Sequence, residues 1–297
     1  MIETPVSKLS PKLAVPTIIS MLVTSIYNMA DMAVVGHVLG KTGISAVSVG
    51  GDVTHLLTFI AMGLSNAGQV LIARYIGAKE REKIGKFVGT MSGFLIISAF
   101  VLTALGLIFQ TELLTLMNTP EEAFKGAISY STVSMAGLIF IYGYNTVSAI
   151  LRGMGDSKHP FIFIAFACGL NIVLDVAFVL GLDMGVGGAA IATVIAQLVS
   201  VLLSFIVFAR KREAFGLNIK IKDFCRWDKR ELSKFVKLAI PMAINNSAIQ
   251  IAGMVINAMI NDYGVTVSAF GGIRANIATT VDLILGSVST AGAMIIG

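Results

Sequence analysis

Charge is scarce in this sequence: only 13% of its 297 residues are Asp, Glu, Lys or Arg. Soluble domains carry about 25%. Histidine is scarcer still, at three residues, and none of His37, His55 and His159 falls in the H-E-x-x-H spacing of a zinc enzyme. No G-x-S-x-G or Walker A pattern occurs; Gly50-Gly51 and Gly153-Met-Gly155 are too short to cradle a phosphate. These absences argue against an enzyme and against a nucleotide-driven pump. There are two cysteines. Cys168 falls in an apolar stretch and Cys225 in a basic loop, with no evident route to each other, so no disulfide is expected.

What the sequence has in quantity is apolar length. Hydrophobic residues make up 56% of it, and the mean hydropathy is +0.85. About 18 apolar residues cross a bilayer as a helix. Eight stretches qualify, roughly 13–38, 46–73, 87–109, 127–151, 160–182, 186–209, 235–261 and 265–297. They are too long and continuous for barrel strands, so the fold class is an all-α polytopic transmembrane bundle. The first stretch is longer than a signal-peptide core and contains Asp31, so it reads as a retained helix.

The pI of about 9.2 suggests nucleic acid until the charges are located. They cluster in the N-terminal tail (Lys8, Lys12), between spans two and three (Arg74, Lys79, Arg81, Lys83, Lys86), between spans four and five (Arg152, Lys158), and between Arg210 and Lys237. In an alternating topology all of these lie on one side. The opposite loops hold Lys41 and Lys125. Lys and Arg accumulate on the cytoplasmic side of membrane proteins. The N-terminus is therefore expected in the cytoplasm of a multi-pass cell-membrane protein (the inner membrane, where a cell has two), with no nucleic-acid partner.

An internal repeat organises the chain. Lys12-Leu-Ala-Val-Pro16 is matched by Lys237-Leu-Ala-Ile-Pro241 at an offset of 225, and Ile44-Ser-Ala-Val47 by Val267-Ser-Ala-Phe270 at an offset of 223. Gly63 matches Gly286 at the same 223. Six spans separate the copies, so both copies run in the same direction, as in transporters built of two parallel halves. The expected domains are a six-helix lobe over 1–209, an interlobe loop over 210–234, and the first two helices of a truncated second lobe over 235–297, about eight helices of twelve. The loop's second half reads either as an amphipathic segment at the headgroups, anchored by Trp227, or as a solvated linker.

Carboxylates inside apolar spans cost roughly 2.5–3.5 kcal/mol each on insertion scales. Asp31 in span one and Asp175 in span five are the leading candidates for function. Each lies seven residues from its span's outer end, about 10 Å deep at 1.5 Å per residue. Asn171 precedes Asp175 by four residues and shares its helix face. Two carboxylates at equal depth can exchange a proton, or hold a sodium ion with Asn171 as a neutral oxygen ligand. The blander reading is that each aspartate only fixes helix packing. Asp52, Asn66 and Gln69 in span two, and Arg274 with Asp282 in span eight, are candidates for a structural pairing or for the pathway lining. Pro16 is a candidate hinge in span one. No metal other than sodium and no cofactor is expected; H+ or Na+ would be the coupling ion.

Four stretches carry a family resemblance: Tyr27-Asn-Met-Ala-Asp-Met-Ala-Val-Val-Gly36, Leu151-Arg-Gly-Met-Gly-Asp-Ser-Lys-His-Pro160, Asn171-Ile-Val-Leu-Asp175 and Gly185-Val-Gly-Gly-Ala-Ala-Ile-Ala-Thr-Val-Ile-Ala-Gln197. In these the sequence resembles the multidrug and toxic compound extrusion (MATE) family, most closely the branch named after the DNA-damage-inducible protein F. The resemblance implies a twelve-helix antiporter of two six-helix lobes, exporting amphipathic, often cationic compounds against proton or sodium entry. It implies a first-lobe cation site on Asp31, Asn171 and Asp175, and a kink of the first helix, at Pro16, linked to protonation. Another branch has a carboxylate in helix seven, where this sequence has Asn245-Asn-Ser-Ala-Ile-Gln250. That departure favours coupling through the first lobe. The expected partners are a small-molecule substrate and the bilayer, with the protein a monomer. The alternative is a related flippase for lipid-linked oligosaccharides or peptidoglycan precursors, which would want a basic cavity; a channel or an intramembrane enzyme is the reading from another class.

Overall fold

A computed structural model describes residues 6–211, 227–275 and 277–278. Among the described residues the chain is helix throughout, joined by short turns. Helix α1 covers Val6–Gly77 and is broken once, at Gly40 (φ 62°, ψ −155°), into a first limb (6–39) and a second limb (41–77). Next come α2 (Arg81–Leu116), α3 (Glu121–Ala136), α4 (Leu138–Gly153) and α5 (Lys158–Asp175). A π-helical turn, Val176–Gly181, continues α5. Then follow α6 (Gly185–Lys211), α7 (Lys229–Asn261) and α8 (265–275).

Every expected span has its helix, α8 being described only in its first part. Spans one and two are the two limbs of α1. Span four is α3 and α4, bent by 45° at Gly137. Span seven begins earlier than expected, because Asp228 caps α7 by accepting from the backbone N–H groups of Arg230 (2.9 Å) and Glu231 (3.3 Å). An Asp at the N-cap satisfies donors that otherwise have no helical partner. The second half of the expected interlobe loop is thus partly the start of α7, while 212–226 lie outside the described residues. The Trp227 ring packs on α2 at Gly93: a Cβ there would lie 3.2 Å from the indole.

Lys41 and Lys125 were expected in loops and instead lie within helices, Lys41 right after the Gly40 break and Lys125 in the second turn of α3. Helical backbone near the bilayer boundary tolerates lysine, because the long side chain can carry its ammonium to water. The break itself needs glycine. Its φ/ψ pair falls in a region that only glycine enters freely, and an added Cβ would have open space, so the restriction is in the backbone.

The packing is inverted relative to a soluble protein. Phe100, Val101, Leu105, Ile108 and Phe109 of α2 all point outward, each half exposed or nearly so. The interior holds small and polar residues among its apolar ones, including fully buried Ser45, Ser131, Ser148 and Asp175. This is the pattern of a bundle whose outer solvent is hydrocarbon. The core runs between the second limb, α2, α4 and α7. Among the described glycines the closest approach to another helix's backbone is Gly63 against α7, where an added Cβ would sit 2.5 Å from Ala243 Cα and 2.7 Å from its N.

At the basic end of the bundle, α7 is clasped to the second limb. Tyr75 donates a short hydrogen bond to the buried Glu231 carboxylate, which Lys234 also meets at 2.9 Å. The backbone N–H of Asp228 donates to Thr90 Oγ1 of α2 at 3.0 Å. At the opposite end, Asn261 Nδ2 donates to Met117 O (2.8 Å) and Asn118 Nδ2 to Ala258 O (3.4 Å).

Candidate functional site

The first limb and α5 bring three polar side chains together inside the bundle. Asp31, Asn171 and Asp175 are 6%, 2% and 0% exposed. The Asp31 and Asp175 carboxyl groups are in hydrogen-bonding contact. Asp31 Oδ1 and Asp175 Oδ1 have no hydrogen-bond partner. Buried polar atoms are nearly always paired, so two orphaned carboxyl oxygens in one place call for an explanation. Two carboxyl groups in contact repel unless a proton or a cation lies between them. The donor set is all oxygen, which suits H+ or a hard monovalent ion. Among the described residues no group of three or more His, Cys, Asp or Glu comes together.

The Asn171 amide ties Asp175 to α6: Nδ2 donates to Asp175 Oδ2 (2.8 Å), and the amide oxygen accepts from Thr193 N (3.0 Å).

Directly after Asp175 the helix loosens into the π turn. Leu182 N–H bonds Ala177 O (2.9 Å), five residues back. Such turns are often found at functional sites. Tyr27 of the first limb and Tyr130 of α3 lie within electrostatic reach of both aspartates. With Thr193, these are site neighbours that sequence reasoning did not single out. Tyr27 and Thr193 were visible only as members of the resembling stretches.

The other candidates are scattered. Asp52 accepts from Asn257 Nδ2 of α7 at 2.8 Å, tying the second limb to α7. Gln69 accepts from Arg152 Nε at 2.9 Å, tying it to α4. Asn66 is half-buried on the second limb, between these two clamps, and Arg274 is exposed on α8. Asp282 lies outside the described residues, and so does the pairing expected of it with Arg274. Pro16 lies in a helical part of the first limb; the dihedral break in α1 falls at Gly40.

A second polar cluster lies at the basic end, in the α4–α5 turn. Asp156 accepts from His159 N–H (3.3 Å), meets His159 Nδ1 at 2.8 Å and receives Lys211 Nζ at 2.9 Å. Burial pushes the Asp156 carboxyl up, but the hydrogen bonds from His159 and Lys211 outweigh it and hold the group below the usual carboxylate range. A carboxyl depressed on folding adds stability at neutral pH, and that stability is lost as pH falls through the folded value. Asp156→Asn is expected to cost about 1–3 kcal/mol at pH 7. Thermal unfolding in detergent checks it: the gap between wild type and variant should close as pH drops below the carboxylate range, and a gap that persists there would place the effect elsewhere.

Comparison with known proteins gives this geometry a context. A protein-family model described as MatE matches residues 16–177. The probable multidrug resistance protein YpnP of Bacillus subtilis is 30% identical over 250 residues, 84% of this chain and 55% of its own. The probable multidrug resistance protein YoeA of the same organism is 28% identical, over 91% of this chain and 59% of its own. The chain thus spans a little over half the length of these relatives. Among solved structures, the MATE multidrug transporter DinF-BH superposes with a TM-score of 0.86 at 24% identity, covering 99% of this chain and 67% of that one. This last likeness is one of fold.

Proposed function

Because the chain belongs to the MatE family, we propose that it forms part of a secondary antiporter that exports amphipathic, cationic small molecules in exchange for H+ or Na+. The observation that carries this reading is the buried contact between Asp31 and Asp175, each with one orphaned oxygen. A site of this kind holds one proton or one small cation and must release it when the other side of the membrane is offered. Export needs no nucleotide, since the gradient of the coupling ion supplies the work.

The direction follows from charge. The basic end of the bundle faces the cytoplasm by the positive-inside rule, which puts Gly40 and the α7–α8 turn at the outer face. The second limb offers the substrate side a mixed surface: apolar residues interrupted by Asn66 and by the clamps at Asp52 and Gln69. Small-molecule sites are mostly apolar with a few placed polar groups.

Transport in proteoliposomes with separately imposed gradients tests the reading. An outward-directed proton or sodium gradient, with the lumen acidic or sodium-rich, should drive uptake of a fluorescent cation into everted vesicles, and only one of the two ions should do so. Uptake indifferent to both gradients would sink the antiporter reading.

A further inference from the structure

The sequence repeat and the structure meet at one pair of residues. Ser45 and Ser268 are equivalent in the repeat, 223 positions apart, in Ile44-Ser-Ala-Val47 and Val267-Ser-Ala-Phe270. They also touch: Ser45 Oγ and Ser268 Oγ are 2.7 Å apart, and both residues are buried. Under two-fold symmetry a residue meets its own equivalent only on the axis. Parallel repeats in transporters are related by an axis along the membrane normal. The serine pair therefore marks where that axis passes through the boundary between the two halves.

The surroundings make this a contact surface rather than a lone hydrogen bond. Lys41 Nζ donates to Thr266 Oγ1 at 2.9 Å. Ala46 packs with Val265. Gly272 of α8 comes so close to the second limb that a Cβ there would lie 2.5 Å from Ser48 Oγ. All of these lie at the start of the second limb and the start of α8, at the end of the bundle opposite the basic residues.

We propose that the Ser45–Ser268 contact is the outer seal of the transport path: it closes the two halves against each other on the outer side, and it must part for substrate to leave. This inference rests on the efflux reading above. An axial contact suits the task because any motion that spreads the halves symmetrically at this end separates equivalent residues first. Small side chains let the helices close fully. A single neutral hydrogen bond is weak enough to be broken and remade every cycle.

The test is a reversible lock. Ser45→Cys and Ser268→Cys are combined in the protein carrying Cys168→Ala and Cys225→Ala, and dye efflux is followed in whole cells. Hydroxyls at hydrogen-bond distance put sulfurs in the same places within reach of a disulfide. Oxidation with copper phenanthroline should link the pair and lower efflux about ten-fold or more, and reductant should restore it. A second pair, Lys41→Cys with Thr266→Cys, bridged by a short bifunctional methanethiosulfonate that replaces the length of the lysine side chain, should lock in the same way and serves where the first folds poorly. Failure of both pairs to link, or full efflux from either linked protein, would overturn the seal while leaving the efflux reading in place. If the unsubstituted protein exports no dye, the efflux reading falls and the seal falls with it.

Discussion

Asp175→Asn is expected to abolish ion-driven efflux while leaving the protein folded. The substitution keeps the shape of the side chain and removes its ability to hold and release a proton or to neutralise a cation. Asp31 then loses the partner its carboxyl touches. The size of the effect follows from the work a gradient can do. One charge crossing 100 mV is worth about 2.3 kcal/mol, equivalent to about fifty-fold accumulation of substrate. An uncoupled variant forfeits that ratio and equilibrates its substrate. Asp31→Asn should do the same. The double variant should be no worse than either single one, because the two groups act as a unit. Stability separates this from misfolding: replacing one of two touching buried carboxyls by a neutral amide should leave the melting temperature unchanged or raise it. Ionophore-sensitive efflux at the wild-type level in both single variants would remove the pair from the coupling role.

The second large effect concerns packing, and here the sign is the test. Gly63→Ala would ordinarily stabilise an exposed helix by about 1 kcal/mol, since glycine is the poorer helix former. At this position the new Cβ would meet backbone atoms of Ala243 at 2.5 and 2.7 Å, and Met242 O at 2.8 Å. Backbone cannot rotate away, so the second limb and α7 must move apart. Overpacking of this kind costs about 1–3 kcal/mol, which exceeds the propensity gain. A larger residue such as Leu should cost more. Gly169→Ala in α5 is the control, because a Cβ there meets nothing within 4 Å. Thermal unfolding in detergent should show Gly63→Ala destabilised and Gly169→Ala neutral or stabilised. A stable Gly63→Ala would mean that the helices do not cross this closely.

The spans could be read from the sequence because hydrocarbon leaves the chain few options: long apolar runs must be helices. Asp31, Asn171 and Asp175 could be read because a carboxylate in such a run needs a reason. The same logic is silent about Tyr27, Tyr130 and Thr193. Their polar groups are uncharged and cost far less to bury than a carboxylate, so their presence in a span does not single them out. It is silent about the π turn after Asp175, since Val176–Gly181 reads VAFVLG, an ordinary apolar stretch. The break at Gly40 was hidden by number: with 30 glycines in the chain, no single one stands out until its φ is known. Lys41 and Lys125 misled because charge was taken to mark loops, whereas helices reach past the hydrocarbon into the headgroups.

The Gly40 break has a mechanical consequence. Most helix pairs in the bundle are joined by several residues whose dihedrals can take up slack. The two limbs of α1 share a single non-helical residue, and Gly36 already rests against Ile44 across the corner: a Cβ on Gly36 would lie 2.8 Å from its side chain. One residue of chain spans at most about 3.6 Å, so it cannot absorb a shift of either limb. Asp31 lies nine residues before the corner and Ser45 five after it. Asp31 and the serine pair are therefore on the two arms of one short crank, and a displacement of the first limb reaches the second with almost no lost motion.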